Sequence, residues 1–217
     1  MWRLHRSVML LVVIATALSA CALGGTKAAL SYSGPTEITV KAGEFVPGTP
    51  IQYLGQNEQG ARFLIEGQEA IKLVGDSLKW SGNVTPDVII NVNLRILHIS
   101  PKQVITSGLV TIALDNVSPR KGEVREDRPV RYTLPVTYKV DKGRRIPGTS
   151  IRYVGEEQDK GAKLEGVDGY PYRSIGDSIL WEGSLSDRVD LQLNVRVLFY
   201  NERFLQVLGT ATVWITP

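Results

Sequence analysis

The residue types best suited to chemistry in this chain are Asp76 and Ser77, set between Gly75 and Leu78, and they recur as Gly176-Asp177-Ser178-Ile179. A serine hydroxyl acts as a nucleophile only with a base in hydrogen-bond reach. Beyond the N-terminal leader the chain holds one histidine, His98, and the matching position of the second copy is Phe199. No acid–base pair stands beside either serine in sequence, so no catalytic residue is assigned and a non-enzymatic protein is expected. Metal binding has no better basis. There is no cysteine pair, no second histidine past the leader and no Asp-x-Asp-x-Asp-Gly loop, so neither a metal nor another cofactor is expected. Two further groups invite chemistry of other kinds. Cys21 is the only thiol, and Tyr170-Pro171-Tyr172-Arg173 joins aromatic and basic side chains where the first copy has Ala70-Ile71-Lys72. Aromatic and arginine side chains are frequent at recognition sites, so Tyr170, Tyr172 and Arg173 form the best candidate binding surface.

Gly75-Asp76-Ser77-Leu78 resembles the signature of the GDSL lipases and esterases, and that likeness implies an α/β/α fold with an Asp-x-x-His near the C-terminus. The chain has no Asp-x-x-His, and its four letters lie inside a β-rich repeat. A GDSL-type hydrolase is therefore the last of the functional alternatives. Leu18-Ser19-Ala20-Cys21 resembles the lipobox of bacterial lipoprotein precursors. Arg3 and Arg6 precede an apolar run from Val8 to Leu18, which is the layout of an export signal and short for a membrane span. The resemblance implies cleavage before Cys21, diacylglycerylation of its thiol and further acylation by chains such as palmitate. Two or three acyl chains give stable attachment. Ala22 does not resemble an inner-membrane retention signal, so the expected place is outside the cytoplasm on a membrane, the outer one in a cell with two.

Arg3 and Arg6 belong to the leader, which leaves 23 basic side chains against 22 acidic ones. A near-neutral body has no general field for drawing in nucleic acid, and no nucleic-acid partner is expected. The partners that remain are the membrane through Cys21 and an envelope protein or polysaccharide. The reading is a lipid-anchored envelope protein with a binding, assembly or structural role; the alternative is a carbohydrate- or polymer-binding module using the aromatic loop.

These residues must be held by a scaffold, and the chain repeats it. Val46-Pro47-Gly48-Thr49 matches Ile146-Pro147-Gly148-Thr149 at an offset of 100, and Trp80, Gly82, Asn93 and Arg95 match Trp181, Gly183, Asn194 and Arg196 at 101. The organisation read from this is a signal peptide (1–20), a lipidated cysteine and flexible tether (21–34), unit 1 (35–115), a charged linker (116–134) and unit 2 (135–217). Val88, Ile90, Val92, Leu94 and Ile96 alternate with Asn91, Asn93 and Arg95, and Val189 to Val197 repeats the pattern, so both are strands. Lys102 to Leu114 and Arg203 to Ile215 read as their partners, with Gly108 and Gly209 suited to a bulge or bend. Short strands with Gly and Pro between them predict an all-β fold of two tandem antiparallel sandwiches or small barrels. The alternative is one interleaved sandwich with strands exchanged between the halves.

Within that scaffold Asp76 and Asp177 are expected to fix turns and to pair with Arg95 and Arg196. Trp80 and Trp181 read as equivalent core aromatics, and Trp214 as a residue that closes the contact between units. His98 continues an apolar strand face and reads as partly buried. The linker mixes both signs of charge and reads as a solvated loop.

Overall fold

The computed structural model describes residues 30–217. The leader, the cysteine at 21 and residues 22–29 lie outside the described residues. The described chain is all-β, with no helix. In unit 1 it runs through β1 (Leu30–Lys41), β2 (Ile51–Asn57), β3 (Gly60–Ile65), β4 (Gln68–Lys72), β5 (Ser77–Thr85), β6 (Val88–Ile99) and β7 (Gln103–Leu114). The short β8 (Arg120–Lys121) follows. Unit 2 repeats the series as β9 (Val130–Asp141), β10 (Arg152–Glu157), β11 (Gly161–Glu165), β12 (Tyr172–Arg173), β13 (Ser178–Ser186), β14 (Val189–Tyr200) and β15 (Phe204–Ile215).

Each unit is a pair of antiparallel sheets. In unit 1 a four-stranded sheet of order β1-β7-β6-β5 accompanies a three-stranded meander β2-β3-β4. In unit 2 β8-β13-β14-β15-β9 accompanies β10-β11-β12. Among the described residues no sheet closes into a barrel, and no strand is exchanged between the halves. Period-two alternation explains the layers: Val88, Ile90, Val92, Leu94 and Ile96 are all buried, as are Val189, Leu191, Leu193, Val195 and Val197. Their inner faces meet the small sheets through Tyr53, Phe63, Tyr153 and Leu164, all at most 1% exposed. Each such side chain contributes roughly 1.5–3 kcal/mol by leaving water. Tyr53 and Tyr153 also fasten the layers, donating from their hydroxyls at 2.5 Å to the carbonyls of Ser100 and Asn201 in the matching hairpins.

The units begin earlier than the repeat suggests. Leu30 to Gly34, expected in the tether, forms the start of β1, with Leu30, Tyr32 and Gly34 inward and Ser31 and Ser33 outward. Val130 to Leu134, expected in the linker, opens β9 with the same alternation. The residues matched between the copies begin at Pro35 and Pro135, but the apolar–polar alternation of Leu30 to Ser33 and of Val130 to Leu134 runs ahead of them.

β1 and β9 lie side by side and join the two halves in one continuous core. A β-carbon on Gly34 would sit 2.7 Å from the Pro135 ring, so glycine is needed where these strands cross. The Tyr132 hydroxyl reaches into unit 1 and donates to the Pro47 carbonyl at 2.6 Å. Its counterpart Tyr32 packs against Gly148 but finds no protein hydrogen-bond partner. Pro35 and Pro135 withhold a donor on these two edge strands, which discourages wrong pairing.

Two other expectations are corrected by the register. Gly108 and Gly209 lie in unbroken ladders, and the bulges fall instead between Ile96 and His98 and between Val197 and Phe199. The glycines serve close strand approach: a β-carbon at Gly108 would meet the Asn93 carbonyl oxygen at 2.1 Å, and one at Gly209 the Asn194 oxygen at 2.0 Å. The bulge also re-aims His98, which is exposed rather than partly buried.

The linker is not a free solvated loop. β8 pairs with β13, so residues 122–129 must carry the chain from one edge of the five-stranded sheet to β9 at the other. This strap is pinned on the outer face by Asp190, which is fully buried although the alternation of β14 places it on the polar side. Arg128, also buried, donates to Asp190 at 2.7 Å, and Arg125 adds bonds at 2.9 and 3.0 Å. Arg128 further donates to Thr216 and to the Asp187 carbonyl. Trp214, opposite Asp190 in the ladder, is covered on this outer face, with Arg131 over its ring at 5.5 Å. It therefore does not close the contact between units.

Candidate functional site

The Gly-Asp-Ser segments are turns. Gly75 has φ +91° and Gly176 +90°, conformations that glycine adopts without a side-chain clash. The Asp76 carboxylate accepts from the Leu73 amide at 2.9 Å and Asp177 from the Ser174 amide at 2.7 Å, each closing its own loop. Arg95 and Arg196 donate instead to the Gly75 and Gly176 carbonyls at 3.0 and 3.2 Å. The expected Asp–Arg pairs therefore do not form: both partners are in the right loop, but each binds backbone. Ser77 opens an antiparallel strand facing Arg95, and the all-β layering is not that of the GDSL family.

The aromatic loop of unit 2 is largely satisfied by itself. Tyr170 is 65% exposed, with its ring 5.2 Å from that of Tyr172. Tyr172, however, donates to Glu157 at 2.6 Å, and Lys160 and Lys163 lie over its ring. Those lysines and Tyr172 bond to Glu157 and hold its pKa down to about 2, Lys160 contributing most. Arg173 spends its guanidinium on the Tyr170 and Tyr172 carbonyls. Of the candidate surface residues only Tyr170 offers an open face.

The two tryptophans of the repeat are not equivalent. Trp181 is 1% exposed and donates from Nε1 to Ser150 Oγ at 3.0 Å. The residue matching Ser150 is Pro50, which offers no hydroxyl, and Trp80 is half-buried. Its indole folds over Gly82, whose β-carbon would come within 2.4 Å of the ring. There it lines an open groove of about 990 Å³ with Phe45, Pro50 and Val84 of unit 1 and with Pro129, Val130 and Pro217 from the other half of the chain. Phe45 is 53% exposed at this mouth, a large apolar side chain left facing water. The matching place in the repeat is Arg145, so sequence comparison of the copies marks the difference without showing that it flanks a groove.

The groove adjoins an unpaired strand edge. β5 ends its sheet, whereas its counterpart β13 is covered by β8. There Gly183 and Ser184 face Lys121 and Arg120, Gly122 donates to the Glu182 carbonyl at 3.1 Å, and Ser118 donates to the Leu185 carbonyl at 2.8 Å. The electrostatics of the strap reinforce this cover. Burial pushes the Asp190 carboxyl up, but the bonds from Arg125 and then Arg128 outweigh it and hold the pKa below its ordinary value.

Among the described residues no group of His, Cys, Asp and Glu side chains is arranged to hold a metal ion. Comparison with protein-family models, curated proteins and solved structures finds no match for the chain.

Proposed function

We propose that the protein is a lipid-anchored component of a cell envelope, attached through Cys21, with a non-catalytic binding, assembly or structural role in which the groove beside Trp80 holds a partner. The lipobox-like leader supports the anchor. Residues 22–29 separate Cys21 from Leu30, a span of at most about 3.3–3.6 Å per residue, so the first unit stays near the membrane surface. The observation that carries the binding role is the open groove beside Trp80, with the Phe45 ring exposed at its mouth and an uncovered strand edge next to it. Extracytoplasmic placement follows from the export signal, with the outer membrane favoured in a cell with two.

The test is intact-mass analysis of the membrane-fraction protein beside Cys21→Ser, with a photo-crosslinking residue placed at Phe45 in both. The expected result is a chain beginning at Cys21 with added acyl mass, lost in the variant, and one defined adduct from position 45. An unmodified soluble chain overturns the anchor, and the absence of any adduct overturns the groove as a binding surface.

A second reading is supported by the 65% exposure of Tyr170 beside Tyr172: a sugar ring stacked on that open face. Glycan-array binding lost in Tyr170→Ala would favour it, and an empty array would remove it.

A further inference from the structure

We infer that the open edge of β5 receives an extended acidic segment of a partner protein, which adds as a strand as the chain's own β8 adds to β13. This deepens the groove reading above and rests on it. The internal repeat supplies an occupied version of the same site. Glu182, Gly183, Ser184 and Leu185, which meet residues 118–122, correspond to Ser81, Gly82, Asn83 and Val84. Among the described residues no strand lies on that side of β5. The other long edges are managed, since β1 and β9 carry Pro35 and Pro135 and lie against each other, while β5 has neither proline nor cover. An exposed edge of this kind binds extended peptides through main-chain hydrogen bonds, with neighbouring pockets taking side chains. Val117, next to the Ser118 that bonds Leu185, packs against the hydrophobic core. The groove beside Trp80 and Val84 offers an apolar side chain the equivalent place in unit 1.

The matched glycines show what entry requires. A β-carbon on Gly183 would meet the Arg120 carbonyl oxygen at 2.1 Å, so the linker backbone fills that space in unit 2. In unit 1 the indole of Trp80 fills the space beside Gly82. A strand added to β5 displaces this ring, and Trp80 thereby reports on occupancy. It is suited to do so because the other described tryptophans, Trp181 and Trp214, are each 1% exposed.

Charge selects the occupant. The basic β8 is matched by acids, Arg120 to Asp187 at 3.0 Å and Lys121 to Asp168. The corresponding unit 1 positions are Pro86 and Gly67. Lys79 is the only charged residue on β5, it is exposed, and no ion pair engages it. Lys79 therefore disfavours the Arg120-Lys121 pair of a second copy, and two β5 edges would bring two Lys79 side chains together.

The experiment uses the full chain and two synthetic peptides of sequence 115–123, one unaltered and one with Arg120→Glu and Lys121→Glu. Amide hydrogen exchange and tryptophan emission are followed during titration. The expected result is saturable protection of Ser81 to Val84 with a shift in emission that Trp80→Phe removes. The acidic peptide, with four carboxylates and no basic side chain, binds at least about tenfold more tightly than the unaltered one, whose two acids balance its two bases, and Lys79→Glu reverses the preference. Absence of protection with both peptides, or a preference that Lys79→Glu leaves unchanged, overturns strand addition. Protection that grows with protein concentration alone also overturns it, by showing that a second copy covers the edge. Failure here with the adduct at position 45 retained refutes the strand and leaves the groove reading, whereas loss of that adduct refutes the reading itself.

Discussion

Arg128 and Asp190 form an ion pair of 2.7 Å in which the side chains are 4% and 0% exposed, and this pair fastens the strap to the outer face of unit 2. Unit 1 has Ile89 at the place of Asp190. Removing one partner strands the other charge in a dry site, at a cost of about 3–5 kcal/mol. Asp190→Ile alone is therefore strongly destabilising in chemical denaturation. Asp190→Ile with Arg128→Leu returns to within about 2 kcal/mol of the parent, because an apolar pair of similar volume avoids the desolvation cost.

The same pair sets an acid limb of stability. The folded-state pKa of Asp190 lies below its ordinary value of 3.8, because the arginine bonds outweigh burial. Its contribution is complete above that ordinary value and is lost as pH falls through the folded value. Asp190→Asn is expected to be less stable at neutral pH and to show a shallower loss of stability below about pH 4, measured by denaturation at a series of pH values.

Tyr132 and Tyr32 make opposite predictions from one repeat position. Tyr132→Phe leaves the Pro47 carbonyl without its donor and costs about 1–3 kcal/mol. Tyr32→Phe removes a buried hydroxyl that has no protein partner, so it is neutral or stabilising. Urea midpoints of the two variants decide this, and an equal loss in both would contradict the asymmetry.

Gly108 and Gly209 are expected to resist alanine. A methyl group at either would press on a partner-strand carbonyl at 2.1 or 2.0 Å, so each change costs more than about 2 kcal/mol. Gly122→Ala, with nothing within 4 Å, stays within about 0.5 kcal/mol of the parent. Thermal melts of the three variants measure the contrast.

Much of this architecture was legible because the chain states its pattern twice. The alternation from Val88 to Ile96 and its copy from Val189 to Val197 place the central strands and their buried faces, since period two has one meaning in an antiparallel sheet. The starts of β1 and β9 escaped because the matching between copies begins at Pro35 and Pro135, whereas the alternation of Leu30, Tyr32, Val130 and Tyr132 with polar neighbours lies ahead of it and spans only a few residues. The strap escaped for another reason: mixed charge describes both a solvated loop and one whose arginines find a buried carboxylate, and only the fold brings Arg128 to Asp190. The loop role of Asp76 and Asp177 was readable from Gly-Asp-Ser, but their partners were not, because Arg95 and Arg196 reach the backbone of the same loops equally well. The open groove was hidden by the repeat itself. Trp80 matches Trp181 letter for letter, and the difference lies in Pro50 against Ser150 and in an edge that only one copy covers.

Amide hydrogen exchange in the free full chain measures that inequality of edges most directly. Ser184, beneath β8, is expected to exchange far more slowly than Asn83, its counterpart at the open edge, while amides of the central strands β6 and β14 remain slow in both units. Equal, slow exchange at Ser184 and Asn83 would show that the β5 edge is already covered and would contradict the account.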